Sequence, residues 1–329
     1  MHKLTVFFAV ITQVLCEGCP HIPTYNLTVY KTVDSGPENV TSAGKIQLKE
    51  DAFHLVLANE SIPRLCEDSV ELKNELSVVQ ILNCSVADID PGALRITPTL
   101  TLLRISSNAL TTVKRGVFNS VRVKEINLSN NFISVVEDEA FDNNTHLEIL
   151  KMNYNVIKVI SPHWFTNSPN VYKLSIIYND MTKIPARAFR NLARRRPLKL
   201  RLSANRINEI DSGAFEGAGD IDILRLNGNK LTTLPSQLFA NRTVRILQVN
   251  TNRLVCFPEE MSDSKLESLW FLENPTFNCT CLRKVKEFVD ENNVDIMYPS
   301  VICEDRVREI NLVFNFNKTY EIPLLPPTI

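Results

Sequence analysis

VKEINLSNNFI, Val123 to Ile133, holds the pattern that decides the fold. Ile126 and Leu128 alternate with polar residues, as a strand buried on one face requires, and Asn131 follows just before the apolar Ile133. The same residues carry Asn127-Leu128-Ser129, an N-glycosylation acceptor, at a position that the alternation turns outward. Working outward, the asparagine recurs at 108, 131, 155, 179, 205, 229, 252 and 274, a nearly constant spacing. Stepping back from Asn108 by one such interval reaches Cys84, and by another Glu60, each preceded by an apolar pair. The count is ten turns of one repeating unit.

Residues 100–110 (LTLLRISSNAL), 147–157 (LEILKMNYNVI), 171–181 (VYKLSIIYNDM), 221–231 (IDILRLNGNKL) and 244–254 (VRILQVNTNRL) share the pattern. They resemble the leucine-rich repeat consensus LxxLxLxxNxL. The resemblance implies an α/β solenoid: a curved horseshoe of about ten turns with a parallel concave β-sheet. Alternation sends Leu103 and Ile105, or Leu224 and Leu226, into the core, while Arg104 and Arg225 face out. Stacked asparagines should form a ladder bonding the backbone of neighbouring turns. Cys84 fills one such slot and reads as a small buried thiol. Ten residues after the asparagine, Phe118, Phe141, Phe165, Phe189, Phe215 and Phe239 recur, predicting an aromatic spine on the convex side.

The chain divides into a secretory signal peptide (1–18), an N-terminal cap (19–50), repeats (51–274) and a C-terminal cysteine-rich cap with tail (275–329). His2 and Lys3 precede an apolar run, Leu4 to Leu15, ending at small residues near Gly18, the form of a signal peptide. Secretion fits nine sequons, at Asn26, Asn39, Asn59, Asn83, Asn127, Asn143, Asn241, Asn278 and Asn317. No later segment is apolar enough for a membrane span. A net charge of −1 gives no general attraction to nucleic acid. YNLTVY and KIQL read as two short strands forming a hairpin over the first turn.

NPTFNCTCLRKVKEFVDENNV (274–294) resembles the cysteine-rich cap of extracellular leucine-rich proteins, with a helix presenting Leu282, Val285, Phe288 and Val289 on one face. The cap's usual last cysteine is missing after Cys303. Cys256 lies on the turn adjacent to Cys279, which predicts two disulfides among Cys256, Cys279, Cys281 and Cys303. At the other end, Cys19 pairs with Cys66 if Cys84 is a thiol; alternatively Cys66 pairs with Cys84 and leaves Cys19 for a second chain. Histidines are scattered, and no nucleophile, phosphate-loop or metal-ligand pattern occurs, so no enzymatic activity and no cofactor is expected. Arg194 to Arg196, in the longest interval, between Asn179 and Asn205, reads as a solvated bulge.

Outward residues lie six, four, two and one positions before each asparagine. Beyond Asn127 no acceptor lies among them. That open stretch carries Lys151, Tyr154, Lys173, Ile177, Tyr178, Arg201 and Arg225, the expected partner-binding residues, because aromatic and Arg side chains beside apolar ones are what interfaces enrich. A sugar on Asn127 would mark the boundary of this surface. Together the repeats, phenylalanines and signal segment resemble secreted, mosquito-type insect leucine-rich immune proteins. Residues 304–329 show no heptads, so the form lacks their coiled coil. The resemblance implies an extracellular protein partner, of the complement-like thioester class, and disulfide-linked or non-covalent oligomers. An adhesion or developmental ligand, or a receptor ectodomain, is the alternative.

Overall fold

The computed structural model describes residues 24–313 apart from 33, 44, 74, 120, 194, 241, 297–299, 306 and 307. The signal segment, Cys19, Asn241 and Asn317 lie outside the described residues, as does the side chain of Cys303. An antiparallel hairpin, β1 (Thr24–Tyr30) and β2 (Glu38–Ala43), begins the described chain. Ten repeat strands follow: β3 (His54–Ala58), β4 (Val78–Leu82), β5 (Leu100–Ser106), β6 (Val123–Asn127), β7 (Ile149–Lys151), β8 (Lys173–Ser175), β9 (Leu198–Arg201), β10 (Ile221–Arg225), β11 (Val244–Gln248) and β12 (Ser268–Trp270). They pair in chain order and in parallel, each turn adding one strand. This is the predicted solenoid sheet. After helix α1 (Cys279–Asn292), the short strand β13 (Asp295–Ile296) closes the sheet beside β12.

What holds one turn to the next is visible atom by atom. In turn after turn the ladder asparagine accepts a backbone N–H from the preceding turn and donates to a carbonyl there. Asn179 Oδ1 accepts from Ile157 N at 3.0 Å, and its Nδ2 donates to Met152 O at 3.0 Å. Asn229 repeats this with Ile207 N and Leu202 O, both at 3.0 Å. These backbone groups are buried away from water, so a partner from the side chain is required. Cys84 holds half of the role. Its thiol donates to Leu57 O at 3.5 Å, and Leu57 is the register partner of Ile81, whose carbonyl Asn108 bonds one turn later. Cys84 is a buried free thiol, and burial raises its pKa.

The phenylalanine column is fully buried along its length. Phe118, Phe141 and Phe165 stack at 5.7 Å per step, and Phe189 meets Phe215 at 5.4 Å. Toward the N-terminus, Ile46, Val70 and Leu94 fill the same column and form a small parallel sheet on the convex side. That placement corrects the expected hairpin. YNLTVY does form β1, but its hairpin partner is Glu38–Ala43 and not KIQL. Ile46 pairs in parallel register with Val70, so its side chain belongs to the back of the first turn, where it is buried at 2% exposure.

At the C-terminal end, α1 buries Leu282, Val285, Phe288 and Val289, and Asn278 caps it by accepting from Thr280 N at 2.8 Å. Cys281 in its first turn is bonded to Cys256, fastening the cap to the repeats. Cys66 and Cys279 are each disulfide-bonded as well. With Cys84 free, the alternative Cys66–Cys84 bridge is not formed.

Candidate partner-binding site

The concave surface is built from side chains that the pleat turns away from the core. Register pairing sets Ser175, Arg201, Arg225 and Gln248 side by side, four positions before their asparagines. Lys173, Lys199, Ile223 and Ile246 make the neighbouring column. Adjacent strands lie about 4.8 Å apart, so long side chains in one column touch or repel.

The cations sort into two groups. Lys151 Nζ is 2.6 Å from Glu125 Oε1, and Lys199 Nζ is 3.0 Å from Asp222 Oδ2. Arg245 bonds both Asp222 and Glu267. Burial alone would raise the Asp222 pKa, but the hydrogen bonds from Lys199 and Arg245 outweigh it and hold that carboxyl low. Lys173, Arg201 and Arg225 have no acidic partner among the described residues. Burial pushes the Lys173 pKa down, and Arg201, Lys151 and Lys199 push the same way against Glu125. Arg225 is depressed by burial and then by Arg201. The Nε atoms of Arg201 and Arg225 are buried without an acceptor. Lys151, placed with the docking residues on sequence grounds, is thus neutralised within the face, while the other three stay uncompensated.

Tyr154 and Tyr178 occupy a different part of the surface. The residue before each ladder position takes left-handed backbone, from Asn59 (φ 60°) and Asn83 (φ 51°) through Asn130 (φ 57°) to Glu273 (φ 60°). The chain must reverse there as it leaves the strand. The tyrosines have φ 55° and 53°, 52% and 55% exposure, and rings stacked at 4.8 Å. They form a rim at the strand ends, beside the half-buried Ile177. Below this rim Phe132, Val135, Val156 and Val159 are exposed on two successive turns, an apolar flank that the strand pattern did not single out. The signal was present: equal offsets after Asn131 and Asn155.

The acceptors divide in the same way. Asn127 ends β6 on the sheet itself, and its Oδ1 accepts from Ser129 N at 3.0 Å, leaving Nδ2, the atom a glycan joins, outside that bond. Asn59 and Asn83 stand instead on the left-handed rim, with Asn83 Nδ2 donating to Asn59 Oδ1 at 2.9 Å. Asn26, Asn39 and Asn143 are exposed away from the open stretch. In the longest turn, Arg195 and Arg196 are exposed; Arg196 pairs with Glu148 at 3.1 Å and lies over the Tyr172 ring at 5.0 Å. Among the described residues no helix is long and apolar enough to cross a membrane.

A leucine rich repeat family profile matches residues 121–181 and 198–254. Comparison with curated protein sequences finds no match. Among solved structures, the Drosophila Toll–Spatzle complex is similar at 21% identity, covering 66% of this chain and 29% of that chain, with a TM-score of 0.57. The mouse RP105/MD-1 complex is similar at 18% identity, covering 74% of this chain and 46% of that one, with a TM-score of 0.54. A Leptospira interrogans LRR protein gives 18% identity, 70% and 61% coverage, and a TM-score of 0.52. The chain therefore spans under a third of the Toll chain and under half of the RP105 chain. Profile, ladder and fold agree on a leucine-rich repeat solenoid.

Proposed function

We propose that this is an extracellular recognition protein that holds a protein partner on its concave face, from the turn of Asn155 to that of Asn252, and that it serves innate immunity. The observation that carries the reading is the tyrosine pair. Left-handed backbone costs an ordinary side chain about 1–2 kcal/mol, and the sites of Tyr154 and Tyr178 are filled in other turns by Asn, Ser, Ala, Gly, Thr or Glu, never by another aromatic. Two large exposed aromatics kept at such positions, on the rim of the face that carries uncompensated Arg and Lys, have the make-up of an interface hot spot. Toll is bound to Spatzle and RP105 to MD-1 in the similar structures, which supports a protein as the kind of partner. A complement-like thioester protein is the partner class proposed for the immune reading. The Toll complex is described as a hub of both development and innate immunity, so a developmental ligand is the second reading.

The test is affinity capture from native body fluid with the secreted chain and a Tyr154→Asn, Tyr178→Asn variant. Asparagine already occupies this backbone slot at Asn59, Asn83 and Asn130, so the variant should fold with stability within about 1 kcal/mol of the parent, relief of backbone strain offsetting lost stacking. Capture should fall at least about tenfold, the effect of losing a modest hot spot. Undiminished capture would remove the concave reading.

A further inference from the structure

We propose that Lys173, Arg201 and Arg225 form a carboxylate-binding site that receives the aspartate or glutamate side chains of an acidic, partly apolar segment of the partner protein. This rests on the concave-face reading and adds the chemistry of what is held there.

Arg201 and Arg225 are direct register partners on β9 and β10, and like charges so placed repel. Ser175 precedes them in the same column on β8, a small uncharged residue whose hydroxyl is turned to Asn153 Oδ1, so it gives the Arg201 guanidinium no counter-charge. Lys173 stands two residues earlier on that strand, on the same face. The acids within reach of this face are already engaged: Glu125 by Lys151, and Asp222 by Lys199 and Arg245. Each guanidinium keeps a buried Nε donor without an acceptor, so neither arginine is satisfied from within the face. A carboxylate can accept two parallel N–H bonds from a guanidinium, and its charge would relieve the repulsion between the two arginines.

Sulfate and phosphate groups share the negative charge, but the surroundings favour a peptide. Ile177, Ile223 and Ile246 are half-buried on the same face, and Ile223 is the register partner of Lys199. Two lysines followed by two isoleucines in one column, beside two arginines in the next, match a segment that carries both acidic and apolar side chains. A polysulfated sugar would leave the isoleucines facing polar groups.

The probe is a short fluorescein-labelled synthetic peptide alternating glutamate with leucine or tyrosine, titrated with the full chain by fluorescence anisotropy. Arg201→Gln with Arg225→Gln should weaken it at least about tenfold, since hydrogen bonds to charged groups contribute about 1.5–3 kcal/mol each. The same peptide with glutamine for glutamate should not bind. Lys230→Gln with Arg253→Gln, exposed cations off the concave sheet, should leave affinity unchanged. Equal binding by the double arginine variant, equal binding of the glutamine peptide, or tighter binding of a heparin fragment would each overturn the carboxylate site. If the arginine variant binds the peptide normally while the tyrosine variant loses native capture, the docking face stands and the carboxylate site falls. If peptide binding needs the arginines but native capture ignores the tyrosines, the carboxylate chemistry stands and its place in partner docking falls.

Discussion

Phe141→Ala is expected to destabilise the chain by roughly 3–5 kcal/mol, the usual cost of emptying a buried aromatic site. Phe141 is fully buried and sits between two stacked rings, Phe118 and Phe165, each at 5.7 Å. The variant therefore loses contacts on both sides as well as the burial of the ring itself. In a solenoid each turn touches only its neighbours, so the damage should separate the N-terminal turns from the C-terminal ones. Urea unfolding should show a lower midpoint and a broader transition. The comparison is Phe132→Ala, a residue of the same type at 61% exposure, which should stay within about 0.5 kcal/mol of the parent. Equal midpoints for the two variants would mean that the spine does not hold the turns together.

The second large effect comes from a single substitution. Arg201-Leu202-Ser203 differs at one residue from Asn127-Leu128-Ser129, and both triplets lie at the same place in the repeat, four positions before the ladder asparagine. Arg201→Asn therefore builds a glycan acceptor in the middle of the open concave face. The secreted variant should gain the mass of one glycan, keep its unfolding midpoint, and lose partner capture altogether. Arg201→Asn with Ser203→Ala removes the acceptor while still lacking the arginine, and should retain capture weakened by about tenfold, the loss of one charged hydrogen-bonding group. The difference between the two variants measures steric obstruction apart from charge. Full capture by the glycosylated form would place the partner elsewhere.

Much of this was legible in the residue order because a solenoid turns spacing into position. Once Asn131, Asn155 and Asn179 are aligned, every residue acquires a column, and Phe141, Arg201 and Arg225 fall into theirs without further information. Ile46 shows where this fails. An apolar pair reads alike whether it belongs to the front or the back of a turn, and without a phenylalanine to mark the column KIQL reads as a hairpin strand. The site was half legible. Alternation identified which cations face outward, but not which are neutralised, because Lys151–Glu125 and Lys199–Asp222 join residues of adjacent turns through side-chain reach. The left-handed slot of Tyr154 and Tyr178 had a sequence signal, since Asn59, Asn83, Asn130 and Gly228 hold the same offset and favour positive φ.

The most direct measurement of the central claim is hydrogen exchange on the captured complex compared with the free chain. Docking on the concave face predicts slowed exchange in β7 to β10, residues 149–151, 173–175, 198–201 and 221–225, and at the rim around Tyr154 and Tyr178. Protection confined to the flank of Phe132, Val135, Val156 and Val159, or to the convex turns behind the phenylalanine spine, would contradict it.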